Sequence, residues 1–99
     1  MAQRFVVYWR DIPAQVIVRQ GRASEKRELP ERFIQAIDRA AMRAGLRESD
    51  TYLAQWRRGA PEPCGDVLAA EADAATAHIL EAYDDARLDA LVKNGGHNP

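Results

Sequence analysis

The stretch Phe5-Val-Val-Tyr-Trp-Arg-Asp-Ile-Pro-Ala-Gln-Val-Ile-Val18 decides how the chain begins to fold. Its two apolar runs are rich in the aromatic and β-branched residues that strands favour. Arg10, Asp11 and Pro13 separate the runs, and Asp and Pro are typical turn residues. The pattern predicts an antiparallel hairpin that ends at Gly21. Two strands alone are marginally stable, so other segments must cover them.

Helical patterns follow the hairpin. Residues 22–29 are predicted to form a loop, with a short third strand as the alternative, because their polar alternation is poor. Three helices are then predicted: Pro30 to Gly45, Thr51 to Arg58 with Ser49 or Asp50 as its cap, and a long Ala-rich helix from about Val67 to Lys93 with Asp66 as its cap. Residues 59–65 are predicted to form a turn-rich loop before the last helix. A break of the last helix near Asp84-Asp85 is the alternative.

The predicted fold class is α+β, with an N-terminal β-hairpin or small antiparallel sheet packed against three or four helices. A chain of 99 residues makes one domain, which is predicted to span residues 1–93. Residues 94–99 are rich in Gly and Asn and are predicted to be a disordered tail.

The composition is that of an ordinary globular protein, with 46% hydrophobic and 29% charged residues. Cys64 is the only cysteine, so no intrachain disulfide can form and a reducing compartment is expected. No apolar run is long enough for a signal peptide or a membrane span. These features predict a cytoplasmic protein without membrane association.

The net charge of −1 conceals an asymmetry. Residues 1–60 hold twelve Lys and Arg against seven Asp and Glu, whereas residues 61–99 hold two against eight. Either the basic half steers an anionic partner, or the two halves pack together and neutralise each other.

Catalytic constellations are not evident in the sequence. His78 has only Glu81 and, across two turns, Glu71 on its side of the predicted helix, so a packed or solvent-facing histidine is favoured over a metal ligand. Cys64 has the acidic neighbours Glu62 and Asp66, which disfavour a thiolate. No glycine-rich phosphate loop is present. The chain is therefore predicted not to be an enzyme and to have no cofactor and no metal.

Arginines interleave with aromatic residues in a pattern that is also found in nucleic-acid-binding proteins. The basic residues concerned are Arg10, Arg19, Arg22, Lys26, Arg27, Arg32, Arg39, Arg43, Arg47, Arg57 and Arg58, with Tyr8, Trp9, Tyr52 and Trp56 among them. A negative net charge argues against a dedicated nucleic-acid domain, and arginine and tryptophan also anchor protein interfaces.

Three segments resemble the small bacterial virulence factor domain family: residues 7–16, Val-Tyr-Trp-Arg-Asp-Ile-Pro-Ala-Gln-Val; residues 27–33, Arg-Glu-Leu-Pro-Glu-Arg-Phe; and residues 36–42, Ala-Ile-Asp-Arg-Ala-Ala-Met. The resemblance extends over about residues 5 to 92. The same domain is found within the larger conserved virulence factor C, where it is similar in use to an interaction module. The family brings no defined activity, cofactor or catalytic residue.

The leading hypothesis is a non-catalytic interaction or accessory module that binds a protein partner, with a homo-oligomer also open. Its contact residues are predicted to be Tyr8, Trp9, Arg10, Trp56, Arg57 and Arg58. The hairpin segment with Tyr8, Trp9 and Arg10 either presents a partner-binding strand edge or serves only to stabilise the turn. The resemblance also implies an alternative, an accessory or small-molecule binder linked to folate and corrinoid one-carbon transfer. The pocket for that alternative would contain Tyr8, Arg10, Asp11, His78 and Tyr83. An arginine-rich nucleic-acid binder is the third hypothesis.

Overall fold

The computed structural model describes residues 1–46 and 49–99. Its strands are β1 (Ala2–Trp9), β2 (Ile12–Gln20), β3 (Ala23–Glu28), β4 (Trp56–Arg58) and β5 (Glu62–Cys64). Its helices are α1 (Glu31–Arg43), α2 (Asp50–Ala54), α3 (Leu68–Ala82) and α4 (Asp85–Lys93). The predicted α+β class and the N-terminal hairpin are confirmed.

The sheet is antiparallel and has the strand order β3-β2-β1-β4, with β5 paired to the opposite end of β1 from β4. Strand β1 is therefore an interior strand, with β2 on one side and the β4 and β5 segments on the other. In the hairpin Val6 pairs with Val16, and the register shifts between Val7 and Tyr8. Arg10 completes the turn in the left-handed region, with φ of 53°.

The prediction of a loop at residues 22–29 is wrong, because residues 23–28 form the edge strand β3. Each residue of β3 pairs with one of β2, from Gln20 with Ala23 to Gln15 with Glu28. Its side chains are mostly exposed, so no apolar alternation marks it in the sequence. Backbone pairing to the exposed side of β2 stabilises this strand.

The second helix is shorter than predicted, because its last three expected residues form β4 instead. Ser49 caps α2 by accepting a hydrogen bond from the Tyr52 amide, as the sequence predicts. The helix ends at Ala54, and Arg57 then pairs with Tyr8 of β1. Residues 62–64, expected in a turn-rich loop, form β5. Long-range pairing with β1 overrides the local helical pattern here.

The Ala-rich C-terminal segment is divided into two helices, which confirms the alternative with a break at Asp84-Asp85. Asp84 caps α4 by accepting a hydrogen bond from the Arg87 amide at 2.9 Å. The expected cap of α3 at Asp66 is wrong, because Val67 holds the cap position without a side-chain bond. The Asp66 carboxylate instead accepts a hydrogen bond from Gln20 at 3.0 Å.

The hydrophobic core lies between the helices and one side of the sheet. Val16 and Val18 of β2 belong to the same buried cluster as Phe33 and Ile37 of α1. Phe5 is also buried, with 8% of its surface exposed, but it does not belong to that cluster. Alternate residues of a strand point to opposite faces, so Phe5 and its partner Ile17 lie on the opposite face of the sheet from Val16 and Val18.

Residues 94–99, predicted to be disordered, lie against the hairpin turn in the structure. The Asp11 amide donates to the Gly96 carbonyl at 2.8 Å, and the Asn98 amide donates to the Asp11 carboxylate at 2.8 Å. Among the described residues, no helix is long and apolar enough to cross a membrane.

Substitution of Gly96 by Ala is expected to lower the free energy of unfolding by about 3 kcal/mol. Gly96 has φ of +94°, and an added Cβ would lie 2.7 Å from Cζ3 of Trp9. The measurement is urea unfolding followed by tryptophan fluorescence. Gly45→Ala is the control, because Gly45 also has a positive φ, +71°, but open space around its Cβ. Equal losses in the two variants would contradict the close packing of Gly96 on Trp9.

Candidate functional site

Trp9 is completely buried at the end of the hairpin. Its indole Nε1–H donates to the Tyr52 carbonyl at 2.9 Å, and its ring lies 5.5 Å from the Tyr52 ring. The Trp56 ring packs edge-on against the Tyr52 ring, with the ring centroids 6.4 Å apart. The aromatic group therefore joins β1 and β4 to α2.

Arg10 and Asp11 connect the hairpin turn to the C-terminal tail. Arg10 lies over the Trp9 ring at 5.2 Å and donates to the Gln55 side chain at 3.2 Å and to the Gly95 carbonyl at 2.8 Å. The Asp11 carboxylate accepts hydrogen bonds from Arg57 at 3.0 Å and from the backbone of residue 98. The backbone amides and the side chains of Arg10 and Asp11 thus all have partners within the described residues, as a structural role requires.

The predicted partner-binding residues are brought together by the structure, but two grounds for that prediction are wrong. Trp9 is buried and cannot present its ring to a partner. Strand β1 has neighbours on both sides, so it offers no free edge. Tyr8 and Trp56 are partly buried, and Arg57 is held by Asp11 and by the Arg10 carbonyl.

Arg58 points elsewhere, towards a surface that the sequence did not single out. We call this surface the open face. It contains the outward side chains Gln3, Phe5 and Val7 of β1, Gln15, Ile17 and Arg19 of β2, Ser24, Lys26 and Glu28 of β3, and Arg58 of β4. Alternation of apolar and polar residues in β2 was the available signal, but the interior position of β1 was needed to assemble the face.

Phe5 forms the apolar centre of the open face, between two arginines. The guanidinium of Arg19 lies 5.4 Å from the ring centroid, and that of Arg58 lies 5.3 Å from it. Val7 and Ile17 are partly exposed beside the ring. Both arginines are exposed and make no ion pair within the described part of the chain. The open face thus combines an apolar centre with two uncompensated positive charges.

A cleft lies on the helix side of the sheet. Tyr8, His78 and Tyr83, three of the five residues expected in a small-molecule pocket, line a cleft of about 700 Å³ between β1 and α3. Arg10 and Asp11, the other two, lie at the hairpin turn and do not line it. Burial raises the pKa of the Tyr8 phenol above its ordinary value.

Cys64 lies in β5, where it pairs with Ala2 of β1. Desolvation raises the pKa of its thiol, and the nearby Glu71 carboxylate raises it further. Within residues 1–46 and 49–99, no three His, Cys, Asp or Glu side chains are grouped so that they could hold a metal ion.

Most of the arginines considered for nucleic-acid binding are paired with carboxylates or with backbone carbonyls. Arg27 pairs with Glu25 and Asp73, and Arg39 pairs with Asp89. Arg47 lies outside the described residues. The cations are therefore distributed over several ion pairs rather than gathered in one basic face.

Substitution of Arg10 by Ala is expected to lower the free energy of unfolding by about 2 kcal/mol. The variant loses two charge-assisted hydrogen bonds, to Gln55 and to Gly95. Denaturant unfolding is the measurement, and Arg22→Ala is the control because Arg22 is exposed and has no ion pair among the described residues. If Arg10→Ala were as stable as this control, the turn would not depend on the Arg10 contacts.

Cys64 is expected to react with iodoacetamide at pH 8 more slowly in the folded chain than in the chain unfolded in urea. A raised thiol pKa leaves less of the reactive thiolate. Mass spectrometry of timed samples gives both rates. A folded-state rate equal to or above the unfolded-state rate would support a reactive cysteine after all.

The comparison with known proteins gives one result. The sequence profile of the family described as "Virulence factor" matches residues 7–92, which is most of the chain. No curated protein and no solved structure matches the chain. The matched segment begins within β1 and ends within α4, so it includes the hairpin turn with Trp9, Arg10 and Asp11 as well as all four helices. The chain belongs to the virulence factor domain family.

Proposed function

We propose that the chain is a non-catalytic interaction module that binds an acidic protein segment on the open face of its sheet. The observation that carries the proposal is the placement of Arg19 and Arg58 over Phe5 on the open face. The partly exposed Val7 and Ile17 of this face supply an apolar contact surface with arginines beside it, which is the combination found at the centres of protein interfaces.

Charge complementarity selects the partner. Among the charged side chains of the open face, Lys26 lies 3.9 Å from Glu28, whereas Arg19 and Arg58 have no carboxylate partner among the described residues. An unpaired arginine attracts a carboxylate and can bind it through two parallel hydrogen bonds. The expected partner therefore presents Asp or Glu side chains on both sides of an apolar residue.

A protein fits this surface better than a nucleic acid does. Single-stranded nucleic acids stack their bases on exposed aromatic rings. Phe5 is the only aromatic side chain of the open face, and it is 8% exposed beneath the arginines. The overall net charge of −1 also opposes the approach of a polyanion.

The remaining expectations are compatible with this proposal but add no residue to it. Cytoplasmic location, self-association and an accessory role in one-carbon transfer stay predictions. Trp9, Arg10 and Trp56 serve the proposed module by holding the sheet in shape, and Arg58 alone of the residues first expected to touch the partner lies on the open face.

The double variant Arg19→Ala/Arg58→Ala is expected to weaken partner binding at least tenfold, because two arginines are lost from the interface. The partner is first captured on the tagged wild-type chain from the cells that encode it. It is then identified and purified, and its dissociation constant is measured with the purified variants by isothermal titration calorimetry at two salt concentrations.

The matched control is Arg22→Ala/Lys93→Ala, which removes the same charge from exposed positions outside the open face. This variant should bind within about twofold of the wild type, since long-range field effects are small at physiological salt. If both variants weakened partner binding equally, the weakening would come from the change in net charge and not from lost contacts on the open face. Failure to capture any stoichiometric protein, or capture of RNA or of the chain itself instead, would overturn the proposal.

A further inference from the structure

The cleft on the helix side of the sheet exists because the helix that covers it carries small side chains. Ala74, Ala75 and Ala82 of α3 line the cleft, and none of them extends beyond Cβ. Gly59 lines it from the sheet side, where an added Cβ would lie 3.0 Å from the Tyr8 ring. Small residues on both walls of the cleft therefore leave a gap of about 700 Å³. That volume lies within the range of small-molecule sites in proteins.

Two tyrosines give the cleft an aromatic lining with free hydroxyl groups. Tyr8 and Tyr83 are both partly buried. Neither their phenols nor the His78 imidazole makes a hydrogen bond within the described residues, although all three line the cleft. A ligand could thus pack against aromatic surface and also accept or donate hydrogen bonds.

The charges of the lining favour an anion. The positive charge of Arg4 is compensated by two carboxylates, since its guanidinium lies 3.4 Å from the carboxylate of Glu62 and 3.7 Å from that of Glu71. Arg87 stacks on the Tyr83 ring at 3.8 Å and donates to the Ala82 carbonyl, but it has no carboxylate partner in the described chain. The stacking and the carbonyl bond hold this guanidinium at the cleft, where its remaining N–H groups can meet an anionic group.

We propose that this cleft is a binding site for a small planar aromatic anion. The ring of the ligand packs among Tyr8 and Tyr83, its carboxylate, sulfonate or phosphate group pairs with Arg87, and His78 supplies a further hydrogen-bonding group. Phe5 contributes to the lining of the cleft as well as to the open face, but Arg19 and Arg58 do not line it, so anion binding can be tested separately from the proposed interaction with an acidic protein.

The test uses 8-anilinonaphthalene-1-sulfonate, a fluorescent aromatic anion, as the probe for the purified full chain. The wild type is expected to give saturable binding of one probe per chain with enhanced fluorescence. Ala75→Phe fills the cleft and should weaken binding at least tenfold. Ala77→Phe is the matched control, because Ala77 is an exposed residue of the same helix that does not line the cleft, and it should bind like the wild type.

Arg87→Gln is the second variant, and it tests the site even if Ala75→Phe fails to fold. Arg87 is exposed, so the substitution preserves the fold while it removes the unpaired charge. It should weaken probe binding about fivefold and reduce the salt dependence of binding. The proposal is overturned if the wild type does not bind the probe. It is also overturned if binding survives in folded Ala75→Phe and Arg87→Gln, or if Ile17→Ser on the open face abolishes it instead.

Discussion

The burial of the Trp9 ring is the interaction on which the rest of this structure depends. The indole contacts Tyr52, lies beneath Arg10 and meets the backbone of Gly96, so it holds together segments that are 43 to 87 residues apart in the chain. A fully buried aromatic side chain contributes about 3 kcal/mol from apolar burial alone. The Arg10 and Asp11 hydrogen bonds then fix the hairpin turn to β4 and to the tail. The hairpin turn is the most distinctive segment of the family resemblance, and its residues are therefore explained by their contribution to the stability of the fold.

The interior position of β1 produces both surfaces for which we propose a function. Pairing of β1 with β4 and β5 extends the hairpin into a broad sheet. Val16 and Val18 on one face belong to the core cluster with Phe33 and Ile37 of α1, whereas Phe5 on the other face is flanked by two arginines. On the covered face, the small side chains of α3 cannot fill the space above Tyr8, and a cleft remains. An interaction surface and a ligand cleft can thus share a single sheet, with Phe5 common to both.

Charge pairing between the two halves of the chain accounts for much of the asymmetry in the sequence. Arg27, Arg32 and Arg39 of the basic half pair with Asp73, Asp85 and Asp89 of the acidic half. Each of these pairs is at least partly exposed and contributes little to stability by itself. Together they neutralise cations that would otherwise form a basic surface. Arg19, Arg58 and Arg87, which have no carboxylate partner among the described residues, carry the two proposals.

The sequence by itself determined the elements whose pattern is local. The β-branched runs on either side of Arg10-Asp11 specify the hairpin, and the apolar stripe with Phe33 and Ile37 specifies α1. The break between α3 and α4 at Asp84 was an alternative to one long helix in the sequence, and the structure decided for it. Only the tertiary structure decided the strands β3, β4 and β5, because their stability comes from backbone pairing with β1 and β2 and not from apolar periodicity. For the same reason the sequence could list Trp9 and Arg58 together as exposed contact residues, whereas the fold buries the first and leaves the second on the open face. Which side of a strand is covered depends on where the helices pack, and that is a property of the assembled chain.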